Sequence, residues 1–193
     1  MNIGSNLEGF LEELSLLKND LVNSFGSINV EKYREDYKGK YSPERFKDYF
    51  LEKLSVHAIF KYLLIRMIEE SMQRVKVKLN EEGLSNWHEM SKNFRKDYDT
   101  LFQIAINDVK REKDLASIFK ETVFDEKQFI EKTDKVMLKH IPLLAKYDFK
   151  TMDANATLTL IDNLYNADIR DELQRFYQPS PIIDFLLQQV GLI

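Results

Sequence analysis

The sequence predicts an all-α protein, an irregular bundle of several helices, and three observations support that prediction. Only six glycines and four prolines occur in 193 residues, which leaves little turn chemistry for a many-stranded fold. Apolar residues recur at spacings of three and four over long stretches, which is the period of one helical face. The hydrophobic share of 44% and the charged share of 31% are typical of a globular protein with a packed core.

The first helix is predicted over residues 7–24, with Gly26 as its stop. Residues 29–41 are polar and fit either a short helix or a charged connector, and both interpretations remain open. The apolar face of the first helix is formed by Leu7, Phe10, Leu11, Leu14, Leu17, Leu21 and Val22.

A central helix is predicted from the start signal Ser42-Pro43-Glu44 to about Leu79. The serine can accept hydrogen bonds from free backbone amides, and a proline is tolerated in the first helical turn. Residues 56–68 are apolar on most faces and indicate that this helix is buried. The run Glu81-Glu82-Gly83 is expected to end it.

A second long helix is predicted from about Ser85 into the charged run of residues 110–114. Asp125 and Gln128 resemble a capping box and predict a helix over about residues 126–139, which Pro142 breaks or kinks. The apolar stripe of the second long helix contains Trp87, Met90, Phe94, Tyr98, Leu101, Ala105 and Val109.

After Pro142, the run Tyr147-Asp148-Phe149 is placed in a connector, and Asp153 is expected to cap a last helix. No repeat or flexible linker interrupts the chain, so residues 1–172 are predicted to form one helical domain. The last helix carries Leu158, Leu160, Ile161, Leu164 and Tyr165.

The net charge of −4 and the isoelectric point near 5.5 argue against strong DNA binding through bulk charge, because phosphate contacts require surplus lysine and arginine. The absence of cysteine excludes thiolate catalysis and suits a reducing compartment. With no visible secretory signal or membrane span, a cytoplasmic protein is expected. Local cations remain candidates for phosphate contacts, although solubilising charges are the default interpretation: Arg74, Lys76, Lys78, Lys92, Arg95, Lys96, Lys110, Arg111 and Lys113.

Few residues stand at spacings that favour catalysis or metal binding. The histidines His57, His88 and His140 are far apart and lack metal-ligand spacing, so they are interpreted as structural. Acidic pairs such as Glu69-Glu70 and Glu81-Glu82 are predicted to be solvated helix faces. No two glycines lie within four residues of each other, which excludes a glycine-rich phosphate loop.

The C-terminal segment carries the one motif-like signal. Phe176-Tyr177-Gln178-Pro179 precedes Ser180-Pro181 and an amphipathic stretch that runs to Ile193. Considered alone, this pattern is a helix start followed by a helix. The aromatic pair and proline resemble the Phe-Tyr-Thr-Pro motif of N6-adenine DNA methyltransferases of restriction-modification systems. Gln178 replaces the family's threonine, whose hydroxyl can cap the helix and contact the cofactor.

Three further stretches resemble the same family. Residues 56–70 are similar to an apolar helix that ends in Arg-x-x-Glu-Glu near the start of many such enzymes. Residues 145–149 and 160–165 resemble a Tyr-Asp-Phe-like element followed by a helix that ends in an aliphatic residue and a tyrosine. Residues 169–172 are a charged segment shortly before the aromatic pair, similar to the segment at this position in the family.

The resemblance implies a site for S-adenosylmethionine in the complete protein, with Phe176, Tyr177, Gln178 and Pro179 helping to hold the cofactor. Residues 173–193 would then begin a cofactor-binding region that is cut short. The family's glycine-containing loop and Asn-Pro-Pro-aromatic motif would follow, and the chain contains no Asn-Pro or Asp-Pro pair. No catalytic residue is therefore expected within it.

By this resemblance the chain is a non-catalytic helical domain of an adenine-N6 DNA methyltransferase. The catalytic part would methylate an adenine flipped out of the duplex, and the helical part would support DNA binding and domain or subunit assembly. The alternative is a stand-alone helical interaction or regulatory module. A nuclease is weakly indicated, because the Asp-x-Lys runs at 36–38 and 148–150 lie in predicted connectors.

Overall fold

The computed structural model describes residues 2–37, 41–71, 75–91, 98–150, 152, 159–160 and 162–165. Within these ranges no strand occurs, and one isolated parallel bridge joins Asn2 to Asp148. The all-α prediction is therefore confirmed. The helices are α1 (Leu7–Phe25), α2 (Pro43–Ser71), α3 (Glu81–Met90), α4 (Tyr98–Arg111) and α5 (Lys127–Leu144), with 3-10 segments at Gly4–Asn6, Glu31–Tyr37 and Val123–Asp125.

The bundle is built on α1, α2 and α5, and α4 packs against α2 and α5. Polar contacts show that α1 and α5 are antiparallel, because rising numbers on α1 meet falling numbers on α5. Glu13 pairs with Lys146 at 3.4 Å, and Asp20 pairs with Lys139 at 2.7 Å. None of the described helices is long and apolar enough to cross a membrane.

The buried core follows the predicted helical faces. On α1 it contains Phe10, Leu14, Leu17, Leu21 and Phe25, all 0–1% exposed. This spacing of three and four places the side chains on one face, which α2 and α5 cover. The predicted starts and stops here are confirmed: Gly26 follows α1, and α2 begins at Pro43, where the Ser42 hydroxyl accepts from the Arg45 amide at 3.3 Å.

The central helix is shorter than predicted, and the expected stop is in fact a start. The last residue of α2 is Ser71, whereas Glu81-Glu82-Gly83 opens α3. The side-chain oxygen of Asn80 accepts from the Gly83 amide at 2.8 Å and caps the new helix. The Glu69 carboxylate also accepts from the Leu79 amide at 3.1 Å, and residues 75–79 are non-helical backbone.

The predicted second long helix also differs from the structure. The helix α3 begins before Ser85 and has Ser91 as its C-terminal cap, with the Ser91 amide and hydroxyl both donating to the Trp87 carbonyl. Residues 92–97 lie outside the described ranges, and α4 carries the remainder of the stripe. Met90 is 74% exposed and does not belong to the buried stripe.

The capping box before α5 lies three residues earlier than predicted, and Pro142 does not end the helix. The Thr122 and Asp125 side chains form the box around the 3-10 segment, whereas Glu126 caps α5 without a side-chain hydrogen bond. The helix continues through Pro142 to Leu144. Proline removes one backbone hydrogen bond, but Ile141 and Leu144 beside it are fully buried and hold the last turn in place.

Gly83→Ala should destabilise the protein, because an ideal Cβ at this position would lie 2.3 Å from the Lys78 carbonyl oxygen. Alanine in a helix is normally favoured over glycine, so the expected loss of about 1–3 kcal/mol reverses the usual sign. Chemical denaturation measures it. Gly9→Ala is the control, since its Cβ would meet only the Asn6 side chain. Equal stability of Gly83→Ala and the parent would contradict the close approach.

Candidate functional site

A cleft of about 200 Å³ lies between α2, α4 and α5, beside the Val123–Asp125 turn. Apolar side chains from all three helices form its walls, and several polar side chains converge on it. This combination is the usual composition of a small-molecule site. The polar lining includes His57, Lys61, Gln103, Asn107, Asp125 and Asp134.

One wall of the cleft is a charged cluster around Asp125, whose side chain is 6% exposed. The Lys61 ammonium and His57 Nε2 both contact its Oδ1, and the Thr122 amide donates to Oδ2 at 2.8 Å. Burial raises the pKa of Asp125, but these hydrogen bonds outweigh it and hold the pKa well below its usual range. Burial lowers the pKa of His57, and its contact with Asp125 opposes this only in part, so the neutral imidazole is favoured.

The cleft lining contains a second carboxyl, Asp134, in a different environment. Gln103 on α4 donates to Asp134 Oδ1 on α5 at 3.0 Å. Burial, opposed in part by this hydrogen bond and assisted by the charge of Asp99, raises the pKa of Asp134 to about 6. The pKa values of Asp134 and Asp125 therefore differ because Asp134 pairs with an amide, whereas Asp125 pairs with a lysine.

The cleft is suited to binding a small polar molecule against an apolar wall. Its Asp134 carboxyl can also exchange a proton near neutral pH, because its pKa lies close to that range. Within the part of the chain that the structure describes, no group of three potential ligands is placed to hold a metal ion.

A second candidate region is the buried network around Arg66 on α2, whose guanidinium is 0% exposed. Its Nε donates to Glu70 Oε1 at 3.1 Å. Its Nη1 and Nη2 donate to the carbonyls of Leu144 at 3.2 Å and Tyr147 at 2.6 Å. The Phe149 ring centre lies 4.6 Å from the Arg66 Cζ, close enough for a cation–π contact. Arg66 thereby fixes the chain just after α5.

Both glutamates that follow Arg66 take part in this network. Glu70 Oε2 accepts from the Phe149 amide at 2.7 Å, and Glu69 Oε2 accepts from the Leu79 amide. Burial raises the pKa of Glu69, and the backbone hydrogen bonds only partly oppose this. Glu69 and Glu70 are 1% and 7% exposed, so the prediction of a solvated acidic face is wrong here. A guanidinium and two backbone amides replace water as their partners.

The remaining sequence candidates fall in different places. His57 lines the cleft, His140 is buried and contacts Asp20 Oδ2 at 2.9 Å, and His88 is exposed. Lys78 pairs with Asp108 at 2.7 Å. The predicted cofactor residues Phe176, Tyr177, Gln178 and Pro179 lie outside the described residues, as do Arg74, Lys92, Arg95 and Lys96.

Sequence reasoning missed the cleft, although its pattern contains a signal. On α5, Asp134 interrupts an inward stripe, four residues after Ile130 and three before the buried Met137. A carboxyl at such a position must find a partner or change its pKa. On α2, His57 and Lys61 likewise interrupt a stretch predicted to be buried.

Arg66→Met should cost about 3–5 kcal/mol of unfolding free energy, because it leaves the Glu70 carboxylate buried without its cation. Denaturant unfolding monitored by circular dichroism measures the loss. Arg111→Met is the matched control: its side chain is 80% exposed and, among the described residues, pairs with Asp108 at 3.3 Å, so the expected change is below about 1 kcal/mol. Equal effects of the two substitutions would contradict the role given to Arg66.

Asp134→Asn should stabilise the protein at pH 7.5 by about 1 kcal/mol. This gain is smaller than the pKa shift alone would give, because the carboxyl is partly exposed and solvent screens its charge. The raised folded-state pKa means that Asp134 favours folding below the unfolded pKa and loses this contribution as pH rises through about 6. The gain should therefore vanish near pH 4. Exposed Asp162 provides the control, Asp162→Asn, and a pH-independent gain at position 134 would refute the assignment.

Comparison with known proteins finds no matching family model, no similar curated protein and no similar solved structure. The two candidate regions therefore rest on the geometry of this chain. The cleft is defined by the contrast between Asp125 and Asp134, and the network by the burial of Arg66.

Proposed function

We propose that the chain is the helical, non-catalytic part of an S-adenosylmethionine-dependent adenine-N6 DNA methyltransferase of a restriction-modification or related phage-defence system. In this role it supports DNA binding and assembly with a catalytic domain or subunit. The observation that carries the proposal is the contact between two stretches that separately resemble this family. Arg66 and Glu70, from the Arg-x-x-Glu-Glu helix, bind the backbone of Tyr147 and Phe149, from the Tyr-Asp-Phe element.

That contact gives the bundle a mechanical role. Residues after α5 are held on the core, since Leu160 and Leu164 are buried and Lys18 donates to the Leu164 carbonyl at 2.7 Å. Because this segment is already ordered, less conformational entropy is lost when the residues after it are positioned for binding. The bundle would thus serve as a base for the proposed cofactor segment at 176–179.

DNA contact would fall to exposed cations near the end of α4. Lys76, Arg111 and Lys113 are exposed there, and the salt bridge between Lys78 and Asp108 brings the turn after α2 beside α4. Phosphate contacts of this kind position a protein on DNA without reading its sequence.

A stand-alone interaction or regulatory module is the second candidate. Acidic residues pair with many of the described cations, as in the Lys110–Glu121 and Lys139–Asp20 salt bridges, and the net charge is −4. Leu16 is 57% exposed, a side chain that a partner protein could cover. These features favour a protein partner over a nucleic acid.

The proposed function predicts no methyl transfer by this chain alone. Together with a catalytic polypeptide that carries the Asn-Pro-Pro-aromatic motif, it should transfer labelled methyl groups from S-adenosylmethionine to adenine in duplex DNA. Tyr177→Ala should then raise the KM for the cofactor about tenfold or more, because each tenfold step corresponds to roughly 1.4 kcal/mol of lost contact. Tyr177→Phe is the matched control and should change the KM little.

Two results would count against this function. Methylation by the isolated chain would contradict a non-catalytic role. Unchanged activity of the catalytic polypeptide with and without the chain, together with no salt-dependent DNA binding, would favour the interaction module, since phosphate contacts must weaken steeply as salt rises.

A further inference from the structure

The cleft between α2, α4 and α5 has an apolar wall suited to a short aliphatic group. Phe102 and Ile106 on α4 face this space together with Leu54 and Ala58 on α2. Its volume of about 200 Å³ accommodates a small molecule but not a folded peptide.

Asp134 supplies the cleft with negative charge that no cation of the described chain balances. Its only described hydrogen-bond partner is the Gln103 amide, and no salt bridge to it occurs in the described ranges. Asp99 lies near enough for its charge to act on Asp134, and its own Oδ1 is buried without a hydrogen-bond partner in the described structure. Asp99 is not part of the cleft lining, so the acceptor available at this end of the cleft is the second carboxylate oxygen of Asp134.

The other charges of the cleft do not compensate for Asp134. Lys61 is held by Asp125, and Lys110 pairs with Glu121 at 3.3 Å. The lining thus contains two lysines and three carboxylates, which leaves one negative charge in excess. The carboxylates are Glu121, Asp125 and Asp134. A monovalent cation would neutralise the lining.

Two further polar side chains of the cleft have no hydrogen-bond partner among the described residues. They belong to Thr133 and Asn107, which are among its lining residues. An ammonium group has three N–H donors. A carboxylate, a hydroxyl and an amide oxygen are the matching acceptors.

We propose that this cleft binds a small organic cation, a primary ammonium group on a short aliphatic stem. The ammonium pairs with Asp134 and donates to Thr133 and Asn107, and the stem packs on Phe102 and Ile106. A partly buried carboxylate without a cation has lost hydration that nothing replaces, so an ammonium that pairs with it recovers part of that cost. This inference is independent of the methyltransferase proposal.

The test compares n-butylammonium chloride with its neutral analogue n-butanol, each titrated into the whole chain and followed by amide chemical shifts. Saturable shifts at Gln103, Asn107 and Thr133 are expected with n-butylammonium, and n-butanol should bind at least tenfold more weakly. Asp134→Asn should weaken n-butylammonium binding tenfold or more and leave n-butanol binding unchanged. The control Asp162→Asn, an exposed acid outside the cleft, should bind both as the parent does.

Calorimetry in two buffers of different ionisation enthalpy adds a second readout. At pH 6 binding should release protons, because an adjacent cation stabilises the Asp134 carboxylate, and at pH 8 the release should disappear. Equal affinity for n-butylammonium and n-butanol would overturn the proposal in favour of a purely apolar pocket. Unchanged ammonium binding in Asp134→Asn, or no saturable shift at the cleft residues, would also overturn it.

Discussion

The buried guanidinium of Arg66 is the constraint on which the arrangement of the described helices depends. An uncompensated charge in the core would cost many kcal/mol, so every donor needs an acceptor. The five hydrogen bonds of Arg66 use both edges of its planar fork and reach Tyr62, Glu70 and the carbonyls of Leu144 and Tyr147. Because α2 and the end of α5 both contribute, neither can shift without leaving charge unpaired.

A single helix therefore carries two electrostatic arrangements with different consequences. Near its middle, α2 presents His57 and Lys61 to Asp125 at the rim of a cleft, where water and small molecules have access. Two turns later, Arg66 and Glu70 are closed off from solvent and bind backbone. The first arrangement leaves a neighbouring carboxyl, Asp134, without a cation, whereas the second pairs the Arg66 guanidinium with Glu70 and with backbone carbonyls.

Periodicity predicted the helical class and the buried faces of α1 and α2, because both depend on local spacing of apolar residues. It failed where a distant side chain decided the local structure. The Glu69 carboxylate holds the Leu79 amide, and Asn80 then starts a helix where a stop was expected. Asp134 stands out in the sequence as a polar break in an apolar stripe, but its pairing with Gln103 was beyond prediction, since the two residues meet only after α4 and α5 have packed. Phe176–Pro179 remains a sequence prediction.

The position of the Arg66 partners along the chain has a consequence for the order of folding during synthesis. Residue 66 leaves the ribosome long before residues 144–149, which provide two carbonyl acceptors and the amide that Glu70 binds. Asn2 and Phe10 likewise find Asp148 and Tyr147 only at that stage, the two rings at 4.8 Å. Until then α2 must keep its guanidinium in water. The contacts of residues 2, 10 and 66 with residues 144–149 consequently form late in synthesis.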